Sequence, residues 1–229
     1  MNNRTSNAIT APYGLWMAVF IIAPLAIVAY YALTDAAGHF SLSNITQLTL
    51  YTDTIFRSVW FGLVATILCL VTAYPLAYIF SKTKASTQTV LVMLIMIPMW
   101  MYFILRTYAI MVLPLYTTMT KLDYKFIEAG RDLGANGFQI FKDVMIPLTK
   151  PGIISGVTMV FVPSVSTFYI SQKLGGGRYT LIGDVIEMQF QTAYNYHLGA
   201  SISLLLMIFI LVCLAVMNRF GDAEEGMVV

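Results

Sequence analysis

The sequence predicts an all-α integral membrane protein, a polytopic helical bundle of five to six spans, and three observations predict it. Apolar residues make up 59% of the 229 residues and charged residues only 10%, where a soluble domain carries about a quarter charged. Mean hydropathy is +0.77. The charges that occur are gathered between long apolar segments rather than spread along the chain. The formal net charge of only +2 gives no basis for nucleic-acid binding, so the basic residues read as topology signals.

A hydrocarbon core of about 30 Å takes about 20 helical residues to cross. Residues 13–33 meet that length after an N-terminus with one charge, Arg4. This run exceeds a signal-peptide apolar core and lacks a small-x-small cleavage site, so it reads as a retained first span. Residues 59–80, 151–170 and 198–217 are equally clean spans, with Pro24 and Pro75 as kinks inside theirs. Cys69 and Cys213 sit within apolar runs and read as small core hydrophobes. His39 and His197 are isolated, so no metal site is expected.

The stretch 88–116 is less regular and carries Pro98, Arg106 and Pro114. The short link 81–84 before it is basic, and so is the polar island 120–150 after it. The positive-inside rule puts both in the cytoplasm with the two termini. Nine basic residues are then inside (Arg4, Lys82, Lys84, Lys121, Lys125, Arg131, Lys142, Lys150, Arg219) and four outside (Arg57, Arg106, Lys173, Arg178), a clear bias. An even number of crossings must separate two cytoplasmic loops. A single helix over 88–116 would measure about 44 Å, too long for one upright span, while two full spans with a turn need roughly 40 residues. Arg106 is therefore expected to mark the outer end of a third span over 88–105. A fourth span is truncated to a remnant over 110–116.

The island has its own pattern. Residues 121–133 can form a short helix with Leu122, Phe126, Ala129 and Leu133 on one stripe. Gly134 supplies the permissive backbone of a helix end. A second helix over about 136–145 places Phe138, Phe141, Val144 and Met145 on one side, bounded by Pro147 and Pro151. Such a pair of helices fits a partner's groove; by helical pattern alone it also fits an amphipathic loop lying on the membrane surface.

The run Glu128-Ala-Gly-Arg-Asp-Leu-Gly134, followed by Val144-Met-Ile-Pro147, resembles the signature loop of ATP-binding-cassette importer permeases of the binding-protein-dependent type I class. That loop has a Glu-Ala-Ala run before a Gly and an Ile-x-Leu-Pro ending. Here Gly130 stands for the second Ala, and Val144 and Ile146 for Ile and Leu, while Glu128, Gly134 and Pro147 keep their spacing. Residues 41–44 (Ser-Leu-Ser-Asn), 133–135, 146–149 with 151–153, and 174–176 with 181–183 are similar to the spermidine/putrescine permeases within that family.

The resemblance implies the type I importer permease fold and a bacterial inner-membrane location. It implies a permease subunit that forms the translocation path and couples to a cytosolic ATPase through residues 128–147. Glu128, Ala129, Gly130, Leu133, Gly134, Phe138, Phe141 and Pro147 are then the coupling residues. The implied partners are a second permease subunit, two cytosolic ATP-binding subunits and an extracytoplasmic solute-binding protein. ATP and Mg belong to the ATPase and no cofactor to this chain. The glycine cluster 174–178 agrees, because it lacks the Lys-[Ser/Thr] pair that holds nucleotide phosphates. Such permeases continue past an Arg-Thr-Tyr-Ala-like segment with an outer loop and most of a span. About forty to fifty residues of that kind are therefore absent near Ala109/Ile110.

A polyamine cargo needs aromatic faces for cation–π contact and a few carboxylates. The candidates are Trp100, Tyr102, Tyr169, Asp184 and Glu187, the last two sharing a face if that segment is helical. Equally, Trp and Tyr at span ends serve as interface anchors. The alternatives are a permease for another small solute, an anion or amino acid, or a secondary transporter. The latter would favour ionisable residues buried in mid-span, and the spans show none.

Overall fold

In a computed structural model, residues 14, 16–35, 37–41, 43–99, 103–167 and 179–225 are described. They form nine helices in chain order. These are α1 (Ala18–Leu33), α2 (Ser43–Gln47), α3 (Thr52–Lys82), α4 (Ala85–Met99), α5 (Phe103–Thr120), α6 (Lys125–Asp132), α7 (Gly137–Ser166), α8 (Ile182–Gln191) and α9 (Tyr196–Glu225). Among the described residues there is no strand, only an isolated bridge between Thr34 and Phe40. Among the described residues, three helical stretches are long and apolar enough to cross a membrane: Leu48–Lys82, Gly137–Ser166 and Tyr196–Met217. Ala18–Leu33 and Ala85–Ile97 are apolar but shorter. Leu68, Val71 and Ile79 on α3 and Leu211 and Val212 on α9 stay exposed, as lipid-facing side chains do.

The chain divides into two compact units. The first comprises Met1–Ser58 and Ser166–Ile210. Buried Asn44 donates from Nδ2 to the Thr34 carbonyl at 3.0 Å, tying α2 to the end of α1. Ser201 on α9 donates to the Ala32 carbonyl at 2.9 Å. The Asp35 carboxylate accepts the Ala37 and His39 amides at 2.9 and 3.0 Å, and chiefly the His39 bond holds its pKa below the usual carboxylate value. At the head of α8, the Ile182 amide donates to Ser58 Oγ at 2.7 Å. Gly183 is needed there, because a Cβ would stand 2.6 Å from the Ser166 carbonyl oxygen.

The second unit comprises Val59–Val165 and Leu211–Val229. Its core is built on Ala73, Tyr74 and Ala77 of α3, Met111, Val112, Leu115 and Met119 of α5, Ile127 of α6, and Ile140, Met145 and Val160 of α7. Gly152 and Gly156, four apart on α7, let α5 approach closely: a Cβ on Gly152 would meet the Pro114 carbonyl at 2.8 Å, and one on Gly156 the Met111 sulfur at 2.8 Å. This is the small-xxx-small packing common between membrane helices.

The helix boundaries depart from expectation in two places. Residues 88–116, expected to hold a third span over 88–105 and a remnant over 110–116, show different helix boundaries. They belong to two helices, α4 and α5, of 15 and 18 residues. Tyr116 Oη, near the end of α5, donates to Gln88 Oε1, near the start of α4, at 3.1 Å. The pair is therefore antiparallel, and at about 22 and 27 Å each helix falls short of a 30 Å hydrocarbon core. Arg106 lies in the first turn of α5 rather than at the end of the preceding helix, and Ala109/Ile110 sits inside one unbroken helix. The antiparallel pair returns the chain to the face it left, where Lys82 meets Tyr124.

The second departure concerns Pro147 and Pro151, expected to bound a separate helix over 136–145. Both lie inside α7, which runs from the island into the span. The reason is a π-helical stretch at Ile140–Met145. The widened turn makes room for a proline ring that would otherwise strike the carbonyl four residues back.

Candidate functional site

The island between α5 and α7 lies wholly in the second unit. Asp123 opens α6 by accepting the Lys125 amide at 3.0 Å. The helix closes in a Schellman motif: the Ala135 amide donates to the Gly130 carbonyl and the Gly134 amide to the Arg131 carbonyl, at 3.0 and 2.9 Å. Gly134 has φ +79, the left-handed region that a side chain disfavours. Two residues after Gly134, Asn136 and Gln139 form a reciprocal capping box. Asn136 Oδ1 accepts the Gln139 amide at 2.9 Å, and the Asn136 amide donates to Gln139 Oε1 at 2.8 Å. Two capped helix ends within six residues fix the angle between α6 and α7. The Asn-x-x-Gln spacing was a signal for this cap that the sequence reading did not use.

Of the stripe expected over 121–133, Leu122 packs half-buried against the core, while Phe126, Ala129 and Leu133 face outward. Ile127 is the buried residue, at 3% exposure, while Phe126 is 55% and Leu133 87% exposed. Ala129 is exposed beside them. Phe138 at the start of α7 is also open, at 72%. Glu128 is exposed and makes no ion pair or side-chain hydrogen bond among the described residues. Gly130 faces α7, where a Cβ would meet Ile140 at an ordinary 3.5 Å. The result is a short projection with apolar knobs at Phe126, Leu133 and Phe138 and an unpaired carboxylate. Exposed large apolar side chains set among charges can fill a complementary groove on another protein.

The projection is anchored to the membrane helices. Phe141 meets the Tyr74 ring edge-on at 5.4 Å between centroids, and the Tyr74 hydroxyl lies 2.9 Å from that of Thr149. Lys82, at the end of α3, places its ammonium 3.8 Å from the centre of the Tyr124 ring. That contact brings the basic 81–84 link and the island to the same face. Pro147, on the α7 side, is exposed.

Of the aromatic cargo candidates, Trp100, Tyr102 and Tyr169 lie outside the described residues. Asp184 and Glu187 both fall on α8. Asp184 is buried and its carboxylate accepts the Leu181 amide at 2.7 Å, so it caps the start of that helix. Glu187 is half-buried.

Comparison with known proteins gives the projection a context. The family described as binding-protein-dependent transport system inner membrane component matches residues 1–223. The chain is 30% identical to the spermidine/putrescine transport system permease protein PotB of Haemophilus influenzae, over 89% of this chain and 90% of that protein. It is 32% identical to the PotB protein of Escherichia coli, over 84% of this chain and 89% of that one. A shorter match, 24% identical over 50% of this chain and 44% of the relative, is to the spermidine/putrescine permease protein PotC of Escherichia coli.

The alignment to the Haemophilus protein runs over 256 positions yet takes in 89% of 229 residues, about 204, so about 50 positions of the relative face no residue here. The Escherichia coli PotB alignment, 245 positions against 84% of the chain or about 192 residues, leaves a similar gap. An all-helical chain with membrane-length apolar helices and a match over 223 residues belongs to one group: the protein is a member of the binding-protein-dependent transport system inner membrane component family.

Proposed function

We propose that this chain is the permease subunit of an ATP-driven polyamine importer, forming part of the translocation path for spermidine and putrescine. It works with a second permease subunit, two cytosolic ATP-binding subunits and an extracytoplasmic solute-binding protein. The observation that carries the reading is the projection at residues 125–141. Leu133, Phe138 and the free Glu128 carboxylate are among the residues that the resemblance implies for coupling, and Phe126 adds a further exposed knob. The names of the PotB relatives supply the cargo.

In this reading Phe126, Leu133 and Phe138 seat in a cleft of an ATP-binding subunit, and Glu128 pairs with a basic group there. ATP and Mg are held by that subunit, and closure of the ATPases displaces the projection. The displacement passes through Phe141 to Tyr74 and through the unbroken α7 into the membrane. The island, the 81–84 link and both termini are cytoplasmic. Trp100, Tyr102, Tyr169 and Glu187 remain the candidates for contact with the cargo, and the buried Asp184 caps the start of α8.

The test is uptake of labelled putrescine and spermidine by the reconstituted complex, with unlabelled amino acids and anions as competitors. ATP-dependent uptake that only polyamines compete for is expected. Uptake inhibited instead by an amino acid or an anion would replace the cargo while keeping the transport role.

A further inference from the structure

A groove of about 870 Å³ runs along the inner half of α3 and is walled on its other side by α6 and the start of α7. Leu70, Val71, Tyr74 and Pro75 line it from α3, and Ile140 and Ile153 from α7. Among the described residues of its wall, Arg131 is the one charged side chain. At Tyr78, Ile127 and Met145 it adjoins a smaller pocket of about 220 Å³ that contains Lys82 and Tyr124.

The two cations meet at Tyr124. Lys82 Nζ sits 3.8 Å above its ring centre, and Arg131 Nη1 donates to its hydroxyl at 3.3 Å. Neither is paired with a carboxylate among the described residues. Asp123, the acidic residue nearest in sequence to Tyr124, is engaged with Lys125 at 3.9 Å. Glu128 and Asp132 of α6 and Asp143 of α7 form no ion pair with either cation. Two positive charges held on one ring without a counterion attract an anion.

We propose that this groove is a binding site for one acidic phospholipid, its phosphate between Lys82 and Arg131 and an acyl chain along the groove. The dimensions favour a lipid over a soluble anion or a protein segment. From Leu70 to Lys82 is about 18 Å along the helix, close to one leaflet's half of a 30 Å core plus the step to the headgroup. The charged end is therefore at phosphate depth and the apolar end at the acyl tails. A basic pocket at the end of membrane helices is a recurrent mode of headgroup recognition. The bound lipid would brace α6 against α3.

The full chain is reconstituted in phosphatidylcholine vesicles carrying a trace of spin-labelled phosphatidylglycerol or spin-labelled phosphatidylcholine. The association constant of the acidic label, read from its motionally restricted fraction, should exceed that of the neutral label by about thirtyfold, as two basic residues at a membrane surface imply. K82Q with R131Q should bring the two labels level, whereas K84Q with K142Q, which removes the same charge elsewhere, should not. Equal restriction of both labels in the unaltered chain overturns the proposal, as does equal loss in the two double variants. Displacement of the label by millimolar inorganic phosphate would make this a soluble-anion pocket. Loss of the restricted signal when the PotC-like second subunit is added would make the groove a subunit interface.

Discussion

The Tyr74 hydroxyl on α3 lies 2.9 Å from the Thr149 hydroxyl on α7, and both residues are buried. Thr149 also donates to the Met145 carbonyl at 2.7 Å, so Tyr74 is the donor to Thr149. The same ring meets Phe141 in an edge-on pair with centroids 5.4 Å apart. One tyrosine thus joins a membrane helix to both the island and the span that follows it. Tyr74→Phe should cost about 0.5–1.5 kcal/mol, the range for one interhelical hydrogen bond. Tyr74→Ala, which also removes the packed ring, should cost about 3–5 kcal/mol. Thermal unfolding in detergent reads both, and a larger loss for the Phe variant than for the Ala variant would be inconsistent with this geometry.

Two glycines four residues apart in the signature, Gly130 and Gly134, should respond oppositely to alanine. Gly134 is left-handed and open, so Gly134→Ala should destabilise by about 1–2 kcal/mol through backbone strain alone. Gly130 is helical and has room for a methyl group against Ile140, so Gly130→Ala should be neutral or stabilise by up to about 1 kcal/mol. The midpoints of thermal unfolding for the two variants check the signs.

Gly152 is constrained by its neighbour and not by its own backbone. A methyl group would strike the Pro114 carbonyl and the Thr118 side chain, and the carbonyl cannot move without breaking α5. Gly152→Val should prevent stable insertion or folding, seen as loss of the full-length chain from the membrane fraction. Normal accumulation and stability of this variant would mean that α5 and α7 do not pack at this point.

The Lys82–Tyr124 contact puts the 81–84 link and the island on one face, which the proposed topology assigns to the cytosol. Single cysteines at Lys84 and Leu133, in a chain with Cys69 and Cys213 replaced by alanine, should both be labelled by an impermeant maleimide only from the cytosolic side. Labelling from opposite sides would mean that residues 85–120 cross once.

Parts of this site were legible in the sequence and parts were not, for physical reasons. The break at Gly134 was readable because a left-handed helix end strongly favours glycine there. The buried side of α6 was not: an eight-residue helix has about two turns, too few for periodicity to choose Ile127 over Phe126 and Leu133. Burial there is set by α7, whose Ile140 and Val144 pack on the Gly130 side. The continuity of α7 through Pro147 and Pro151 was hidden because proline ordinarily ends a helix, and the π-helical stretch that accommodates Pro147 has no simple sequence mark. The hairpin of α4 and α5 was half-legible. The crossing count demanded two passes, but helix lengths below a full span went against the expectation of a remnant.

The coupling role of the projection is tested most directly by polyamine-stimulated ATP hydrolysis in the reconstituted complex carrying Glu128→Lys or Leu133→Glu. Both side chains are exposed, so insertion and thermal stability should match the unaltered complex. Stimulation should fall at least about tenfold, the equivalent of 1.4 kcal/mol, with basal hydrolysis by the ATP-binding subunits retained. Full stimulation in both variants would contradict the coupling role.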